Sequence, residues 1–341
     1  GSKYHGMTYR PYYMAKEWVK AGHRVTIVAA DQSHIRQKKV IIPNNNSFLL
    51  EKIDGINYLW LKTISYNDNS LKRAFNIASF IFQLYRFSKI ISEKIKPDII
   101  ITSSTYPADI FPAYHIAKLS NSKIIYEIRD LWPLSPVMLG NYSPNHPFIQ
   151  AMQFSENYCY NCCDAVVSVL PKVSDHVKQH GLPIEKLHII ENGISLDEWE
   201  TQSVIPNSLE TLINREKDKG RFIFGYAGNH SSANCLQTVV EAAEKLINSN
   251  ASFILVGNGR DKNKLINFVK EKQLNNVIFH DSIEKKTIPD LLSKLDCLLI
   301  SWKNLEELYK YGISPNKLLD YMMAGKPIIH AVNAGNDPVK D

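Results

Sequence analysis

Short, continuous apolar runs alternate with amphipathic stretches along most of the chain. Arg24-Val25-Thr26-Ile27-Val28-Ala29-Ala30 reads as a buried strand, preceded by a helix over 12–21 that Gly22-His23 stops. Pro97-Asp98-Ile99-Ile100-Ile101-Thr102 follows a long helix over 71–94, and Lys123-Ile124-Ile125-Tyr126-Glu127 and Ala165-Val166-Val167-Ser168-Val169 repeat the style. Strands that are apolar throughout and separated by helices are covered on both faces, so the chain is α/β with parallel sheets. Near Glu191 the rhythm pauses. Asn192-Gly193 is a turn, and 198–220 is polar, with the run Arg215-Glu216-Lys217-Asp218-Lys219. The pattern then resumes with strands at 222–226, 252–256, 277–279, 296–301 and 327–329 and helices at 234–248, 262–272, 288–294 and 316–323. This predicts two Rossmann-like domains, 1–195 and 221–341, joined by a linker over 196–220. Both ends read as cut, because no strand precedes the first helix and no helix follows Ile328-Ile329.

Composition narrows the class. With 341 residues, 44% apolar and 22% charged, the chain is ordinary globular protein, which excludes disorder and collagen-like repeats. Five cysteines, an odd number, argue against a disulfide scaffold and for a reducing cytosol. No apolar run reaches the roughly 18–20 residues of a membrane span and no secretory leader opens the chain, so a cytoplasmic protein is expected. Charge is uneven. Residues 1–100 hold sixteen Lys and Arg against seven Asp and Glu, a surplus of nine, although the whole chain carries only +6. Such a front favours a polyanionic partner. The segment 72–96 concentrates it, with Lys72, Arg73, Arg86, Lys89, Lys94 and Lys96 against Glu93, interleaved with Phe75, Phe80, Phe82, Tyr85 and Phe87. A basic, aromatic amphipathic helix fits an anionic membrane surface; the competing reading is a core helix with a solvated basic edge. No nucleic-acid module is recognisable, so no nucleic-acid partner is expected.

The candidate chemistry lies after the second-domain strands. Gly225-Tyr226-Ala227-Gly228-Asn229-His230-Ser231-Ser232-Ala233-Asn234 runs from a strand to a helix start, where free N–H groups favour phosphate. Val256-Gly257-Asn258-Gly259-Arg260 has two glycines but Lys262 where a dinucleotide fingerprint needs a third, which argues against NAD. In Ser314-Pro315-Asn316-Lys317-Leu318-Leu319-Asp320 a helix opens after Ser-Pro, and Lys317 and Asp320 share one face. A cation beside an anion-binding helix end and a carboxylate one turn on suit a diphosphate and a ribose diol; an exposed ion pair is the bland alternative. Cys159, Cys162 and Cys163 lack a second pair for a tetrahedral metal site and read as buried thiols. The histidines show no ligand spacing and there is no Asp-x-Asp, so neither a metal nor a cofactor is expected.

The segments SPNKLLDYMMAGKPI, GYAGNHSSANCLQTVVEAA, FILVGNGRDKNKL and HIIENGISLDEW resemble retaining GT-B glycosyltransferases of family 4. YHGMTYRPYYMAKEWVKAGHRVTIVAAD and YEIRDLWPLSP are similar to its bacterial surface-polysaccharide branch, typified by N-acetyl-L-fucosamine transferases of O-antigen and capsule synthesis. The resemblance implies a donor in the second domain, an acceptor in the first and a cleft between them. By it, Gly228 and Asn229 approach the donor diphosphate, Gly257 and Arg260 flank the nucleotide, Asp281 and Ile283 hold the base, Asp320 grips the ribose, and Ser314, Asn316 and Lys317 run past sugar and phosphates. Three departures stand out. Gly312 replaces the first carboxylate of E-x7-E, the glycine loop lacks the family's Arg and Lys, and Arg129 stands where many members have a catalytic-site His. Lys317, with Arg129 or Arg260, is then the cation expected to neutralise the leaving diphosphate. Asp130 is expected to orient the acceptor hydroxyl, and His5, Gly6, Arg10 and Trp132 to contact the acceptor. The implied reaction moves an N-acetylated or 6-deoxy hexose from a UDP-sugar to a polyprenyl-diphosphate-linked glycan. Competing readings are a nucleotide-sugar epimerase or hydrolase of the same architecture, or a non-catalytic basic binding protein.

Overall fold

A computed structural model describes the chain apart from residues 6–9, 34, 35, 37, 67–70, 104, 201, 202, 337, 340 and 341. The chain divides into two compact units, 1–190 and 191–341.

The first unit contains two sheets. In one, β1 (Thr26–Ala30) runs parallel to β3 (Ile56–Leu61), which pairs antiparallel with β2 (Phe48–Ile53). Asp54-Gly55 joins β2 to β3 with both residues at positive φ, the conformation that suits a tight hairpin. The other sheet is parallel throughout, in the order β4 (Ile99–Thr102), β5 (Lys123–Ile128), β6 (Ala165–Ser168), β7 (Leu187–Ile189). The long helix expected over 71–94 is interrupted. A regular α-helix spans Leu71–Arg86, Phe87 leaves helical geometry, and a wider-turned segment, Ile91–Ile95, ends at left-handed Lys96. Cys159 and Cys163 are buried thiols and Cys162 is half-buried; none is in a disulfide.

The second unit is built on one parallel sheet: β8 (Phe222–Ala227), β9 (Ala251–Val256), β10 (Val277–His280), β11 (Cys297–Ser301) and β12 (Ile328–Ala331), in the order β10-β9-β8-β11-β12. Alternate residues feed two cores. Ile223, Ala227, Ile254, Val256, Leu298 and Ile300 face one layer, and Tyr226, Phe253, Leu255 and Leu299 the other. Each Val, Leu, Ile or Phe among them contributes about 1.5–3 kcal/mol on burial. Strand order reverses between β8 and β11, the place where open α/β sheets leave a crevice for ligand.

The linker expected over 196–220 is not one. Residues 207–218 form the helix Asn207–Asp218, whose Leu209 and Ile213 are fully buried in the second-unit core with Ile205. The charged run misled because much of it serves one carboxylate. Glu216 is buried and accepts from Arg215 (3.2 Å), Lys219 (2.8 Å), Arg221 (2.9 Å) and Ser252 (2.6 Å). Burial opposes its ionisation, but the hydrogen bonds from Lys219 and Ser252 and the nearby cations outweigh it and hold the carboxyl at about 2.

Candidate functional site

After β8 the chain turns through Gly228-Asn229-His230 against the loop that follows β9. Gly228 N–H donates to Val256 O (3.0 Å), His230 N–H to Asn258 O (2.9 Å) and Gly257 N–H to His280 O (3.0 Å), so the loops are tied backbone to backbone. A Cβ on Gly257 would lie 1.8 Å from Gly228 O, and one on Gly259 2.4 Å from His230 O. These glycines are therefore required by close approach, whatever the loops bind.

Lys317, in the first turn of the helix Asn316–Met323, reaches this junction. Its Nζ donates to Tyr226 Oη (2.9 Å) and Asn234 Oδ1 (2.8 Å), lies 4.3 Å from the Tyr226 ring centroid, and is 3.4 Å from where a Gly228 Cβ would stand. Tyr226 Oη and Asn234 Nδ2 both donate to Asn229 O, at 2.8 and 2.9 Å. Ser301, at the end of β11, donates to Asn234 O (2.5 Å), which places the junction at the strand-order reversal. All of Lys317's oxygen partners are neutral. Burial alone lowers its pKa to about 7. An anion placed here would restore the proton and gain a charge-assisted contact.

The helix that carries Lys317 has no side-chain cap at its start; Leu318 N–H turns back to Pro315 O (3.1 Å), which leaves the first two N–H groups, of exposed Asn316 and of Lys317, to meet a ligand. Ile313 and Ser314 are instead held by the protein. Asn336 accepts from Ile313 N–H (2.7 Å) and donates to Ile313 O (3.1 Å), and Asn192 Nδ2 donates to Ser314 O (2.8 Å). Gly312, where a carboxylate was expected, has φ +92°, a conformation that disfavours any side chain. Asp320 lies one turn beyond Lys317, and both its oxygens accept from Lys285, at 2.6 and 2.5 Å. Asp281 is exposed and pairs with Lys262 (2.6 Å), Ile283 leans on the core, and Arg260 is exposed. The structure thus gathers Gly228, Asn229, Gly257 and Lys317, while Asp320 and Asp281 have lysine partners of their own.

Sequence reading missed Tyr226 and Lys285, and took Asn234 as a helix start beside the phosphates rather than as a side-chain partner of Lys317. It also passed over the fate of His230, whose ring is fully buried between Tyr226 and Phe279, at centroid distances of 5.9 and 6.1 Å. Burial lowers its pKa to about 4, so this loop position carries no charge near neutral pH.

The first-unit candidates are more dispersed. Arg10 Nε donates to Glu127 Oε1 (2.8 Å), both side chains nearly buried, and Ser103 Oγ donates to the other carboxylate oxygen. Arg10 is therefore drawn into an ion pair rather than presented freely to an acceptor, and Glu127 is a residue the sequence did not single out. His5 is buried, bonded to Ser2 (2.8 Å) and set edge-on to Trp60, a packing role that turns its ring away from solvent. Asp130 accepts from Ser135 Oγ (2.5 Å), Arg129 is half-buried, and Trp132 packs edge-on against Phe148. Gly6 lies outside the described residues.

Among the described residues one cluster has metal-ligand proximity: Glu156, His176 and His180, with ligand atoms within 4.8 Å of one another. Its carboxylate is already satisfied by Tyr160 (2.9 Å), His176 (2.8 Å) and Gln153 (2.8 Å), and reads as a buried hydrogen-bond network.

The family description Glycosyltransferase Family 4 matches residues 4–198, and Glycosyl transferases group 1 matches 221–341. The chain is 23% identical over 319 residues to an Escherichia coli K12 protein named for colanic acid biosynthesis, the glycosyl transferase WcaI, covering 91% of this chain and 75% of that protein. Sucrose-phosphate synthase from Thermosynechococcus elongatus superposes with a TM-score of 0.66 at 13% identity, over 95% of this chain and 75% of that one. Anabaena Alr3699/HepE in complex with UDP gives 0.56 at 15% identity, over 81% and 67%. The two α/β units are those of the GT-B fold. With both halves matched in order, the chain belongs to glycosyltransferase family 4.

Proposed function

We propose that the protein transfers a sugar, an N-acetylated or 6-deoxy hexose, from a UDP-linked donor to a polyprenyl-diphosphate-linked glycan during synthesis of a bacterial surface polysaccharide, with retention at the anomeric carbon. One observation carries the donor side: a part-buried Lys317 ammonium with only neutral oxygen partners, at the junction of two glycine loops and an uncapped helix start. A diphosphate is the ligand whose charge such a cradle lacks. The name of WcaI supports the polysaccharide setting, and the UDP complex of HepE supports the nucleotide.

In this reading Lys317 and the open N–H groups of its helix neutralise the leaving diphosphate, with Arg260 or Arg129 as a second cation. Gly228 and Gly257 let the phosphates approach backbone, Asp320 turns from Lys285 to the ribose, and the His280–Ile283 loop borders the base. The anomeric C–O bond to the diphosphate breaks and the acceptor oxygen bonds to that carbon on the same face, so the nucleoside diphosphate leaves from the side at which the hydroxyl arrives. The departing phosphate oxygen takes the hydroxyl proton, and Asp130 orients that hydroxyl. Arg10, Glu127 and Trp132 shape the acceptor side. The site is expected to work without a metal, and the protein to act in the cytoplasm.

The test is a panel of UDP, GDP, ADP and dTDP by thermal shift, followed by transfer of labelled sugar from the best nucleotide's donors to lipid-linked acceptor. Ligand at 100 times its dissociation constant should stabilise the protein by about 2.7 kcal/mol. Stabilisation by UDP with label entering lipid supports the reading. No stabilisation by any nucleotide refutes it.

A further inference from the structure

The helix Leu71–Arg86 carries two apolar stripes on opposite sides. Phe80 and Leu84 are buried in a first-unit core with Leu59, Leu61 and Ile116, and Ile77, one turn before them on the same face, is buried as well. Phe75, Ala78, Phe82 and Tyr85 repeat the same three- and four-residue spacing but face solvent, Phe75 at 61% and Phe82 at 65% exposure. A helix that only packs needs one stripe; the second is unexplained by the core.

The outward stripe continues across two neighbouring helices. Tyr85 meets His115 at 5.7 Å on the helix Ile110–Ser120. Phe111, Tyr114, His115 and Lys118 share one face of that helix by their spacing. Phe111 stacks on Phe154 (6.0 Å) and contacts Tyr158 (5.0 Å), and Tyr114 meets Tyr158 edge-on (5.9 Å), both partners on the helix Pro147–Cys162. Phe154 is 64% exposed. Three helices from distant parts of the sequence therefore present one aromatic face. Its fringe is basic, with Lys72, Arg86, Lys89 and Lys118 exposed. The three helices carry one carboxylate, Glu156, and it is buried; the nearest exposed acid in the following segment is Glu93, 3.8 Å from Lys89.

We propose that this face docks on an anionic lipid bilayer, the aromatic rings entering the interfacial layer and the basic fringe meeting acidic headgroups. Phe and Tyr at the centre with Lys and Arg around them match the order of apolar interior and charged headgroup in a bilayer surface. Charge argues against a second copy as the occupant, because a symmetric contact would set cationic fringe against cationic fringe. No helix of the described residues is long and apolar enough to cross a membrane, so the contact is peripheral. It rests on the proposed function only for its purpose, to bring the enzyme to a lipid-linked acceptor.

The experiment is co-sedimentation of the full chain with vesicles of phosphatidylcholine alone and of phosphatidylcholine with about one quarter phosphatidylglycerol, needing neither donor nor acceptor. Wild type should partition to the acidic vesicles at least tenfold more strongly, with the difference shrinking in high salt. Phe82→Ser with Phe154→Ser should weaken partitioning to the acidic vesicles at least tenfold. Lys72→Glu with Arg86→Glu should remove the preference for acidic lipid, by up to about fivefold for each charge. Thermal stabilisation by UDP should be unchanged in every variant, which separates this proposal from the donor-site reading. Equal or absent binding of wild type to both vesicles overturns it. So does light scattering that finds a wild-type dimer which the serine variant dissociates, since the face would then be a self-association surface.

Discussion

Arg10 in the first unit and Lys317 in the second are both cations drawn in near the carboxyl ends of parallel strands, but their company differs. Arg10 meets the Glu127 carboxylate at 2.8 Å with both side chains nearly buried. Lys317 meets Tyr226 Oη and Asn234 Oδ1 and nothing charged that moves its pKa. The first charge is compensated within the protein and holds elements together. The second meets no counter-charge among the described residues, and burial lowers its pKa to about 7. Lys285 and Lys262, which each hold a carboxylate, sit with Arg10 in this comparison. An enclosed cation without a counter-charge costs stability unless a ligand provides one.

The contrast predicts opposite outcomes for two similar substitutions. Arg10→Met leaves Glu127 buried and uncompensated and should destabilise the first unit by about 3–5 kcal/mol in chemical denaturation. Lys317→Met should change stability by no more than about 1 kcal/mol and lower nucleoside diphosphate affinity about 100-fold, the weight of two charge-assisted hydrogen bonds. If Lys317→Met unfolds the second unit instead, the two cations are alike and the comparison breaks.

Next in size is Glu216→Ala, expected to destabilise the second unit by about 2–4 kcal/mol by stripping Arg215, Lys219 and Arg221 of their shared partner. Because the Glu216 carboxyl is held at about 2, its contribution is present above the ordinary glutamate range and lost as pH falls toward 2. Acid unfolding of the variant should therefore be shallower over that window. Gly257→Ala, with its Cβ 1.8 Å from Gly228 O, should force the loops apart and cost about 1–3 kcal/mol in stability together with nucleotide binding.

The smaller effect is the pH dependence of binding. Lys317 holds its proton below pH 7 and loses it above, while a bound diphosphate favours the protonated form. Nucleotide affinity should thus be highest below pH 7 and fall by up to about tenfold per unit above it, with proton uptake near neutrality visible as buffer-dependent binding enthalpy. A flat profile from pH 6 to 8.5 would mean that the Lys317 amine stays protonated across that range, contrary to a cation without a counter-charge.

Much of this was readable from the chain. Apolar runs such as Ser252-Phe253-Ile254-Leu255-Val256 located the strands because burial on both faces permits no alternation, and Ser-Pro before Lys317 located the helix start. The partners of Lys317 were not readable, since Tyr226 and Asn234 lie 91 and 83 positions away and only the strand order brings them in. Arg10 and Glu127, 117 apart, were hidden for the same reason. The helix Asn207–Asp218 was masked by local charge whose purpose is a buried carboxylate, and the outward stripe of Phe75, Phe82 and Tyr85 could not be told from the inward one until packing chose between them. Asp54-Gly55 was a legible hairpin signal that the strand pattern alone overlooked.

The most direct test of the uncompensated cation is titration calorimetry of UDP against wild type and Lys317→Met at pH 6.5 and 8.5. The account predicts binding by wild type that is stronger at pH 6.5, with the larger net proton uptake at pH 8.5, and binding by Lys317→Met that is about 100-fold weaker at pH 6.5 and lacks that proton uptake. Equal affinity of the two proteins at pH 6.5 would contradict it, because the charge at the loop junction would then have no part in holding the diphosphate.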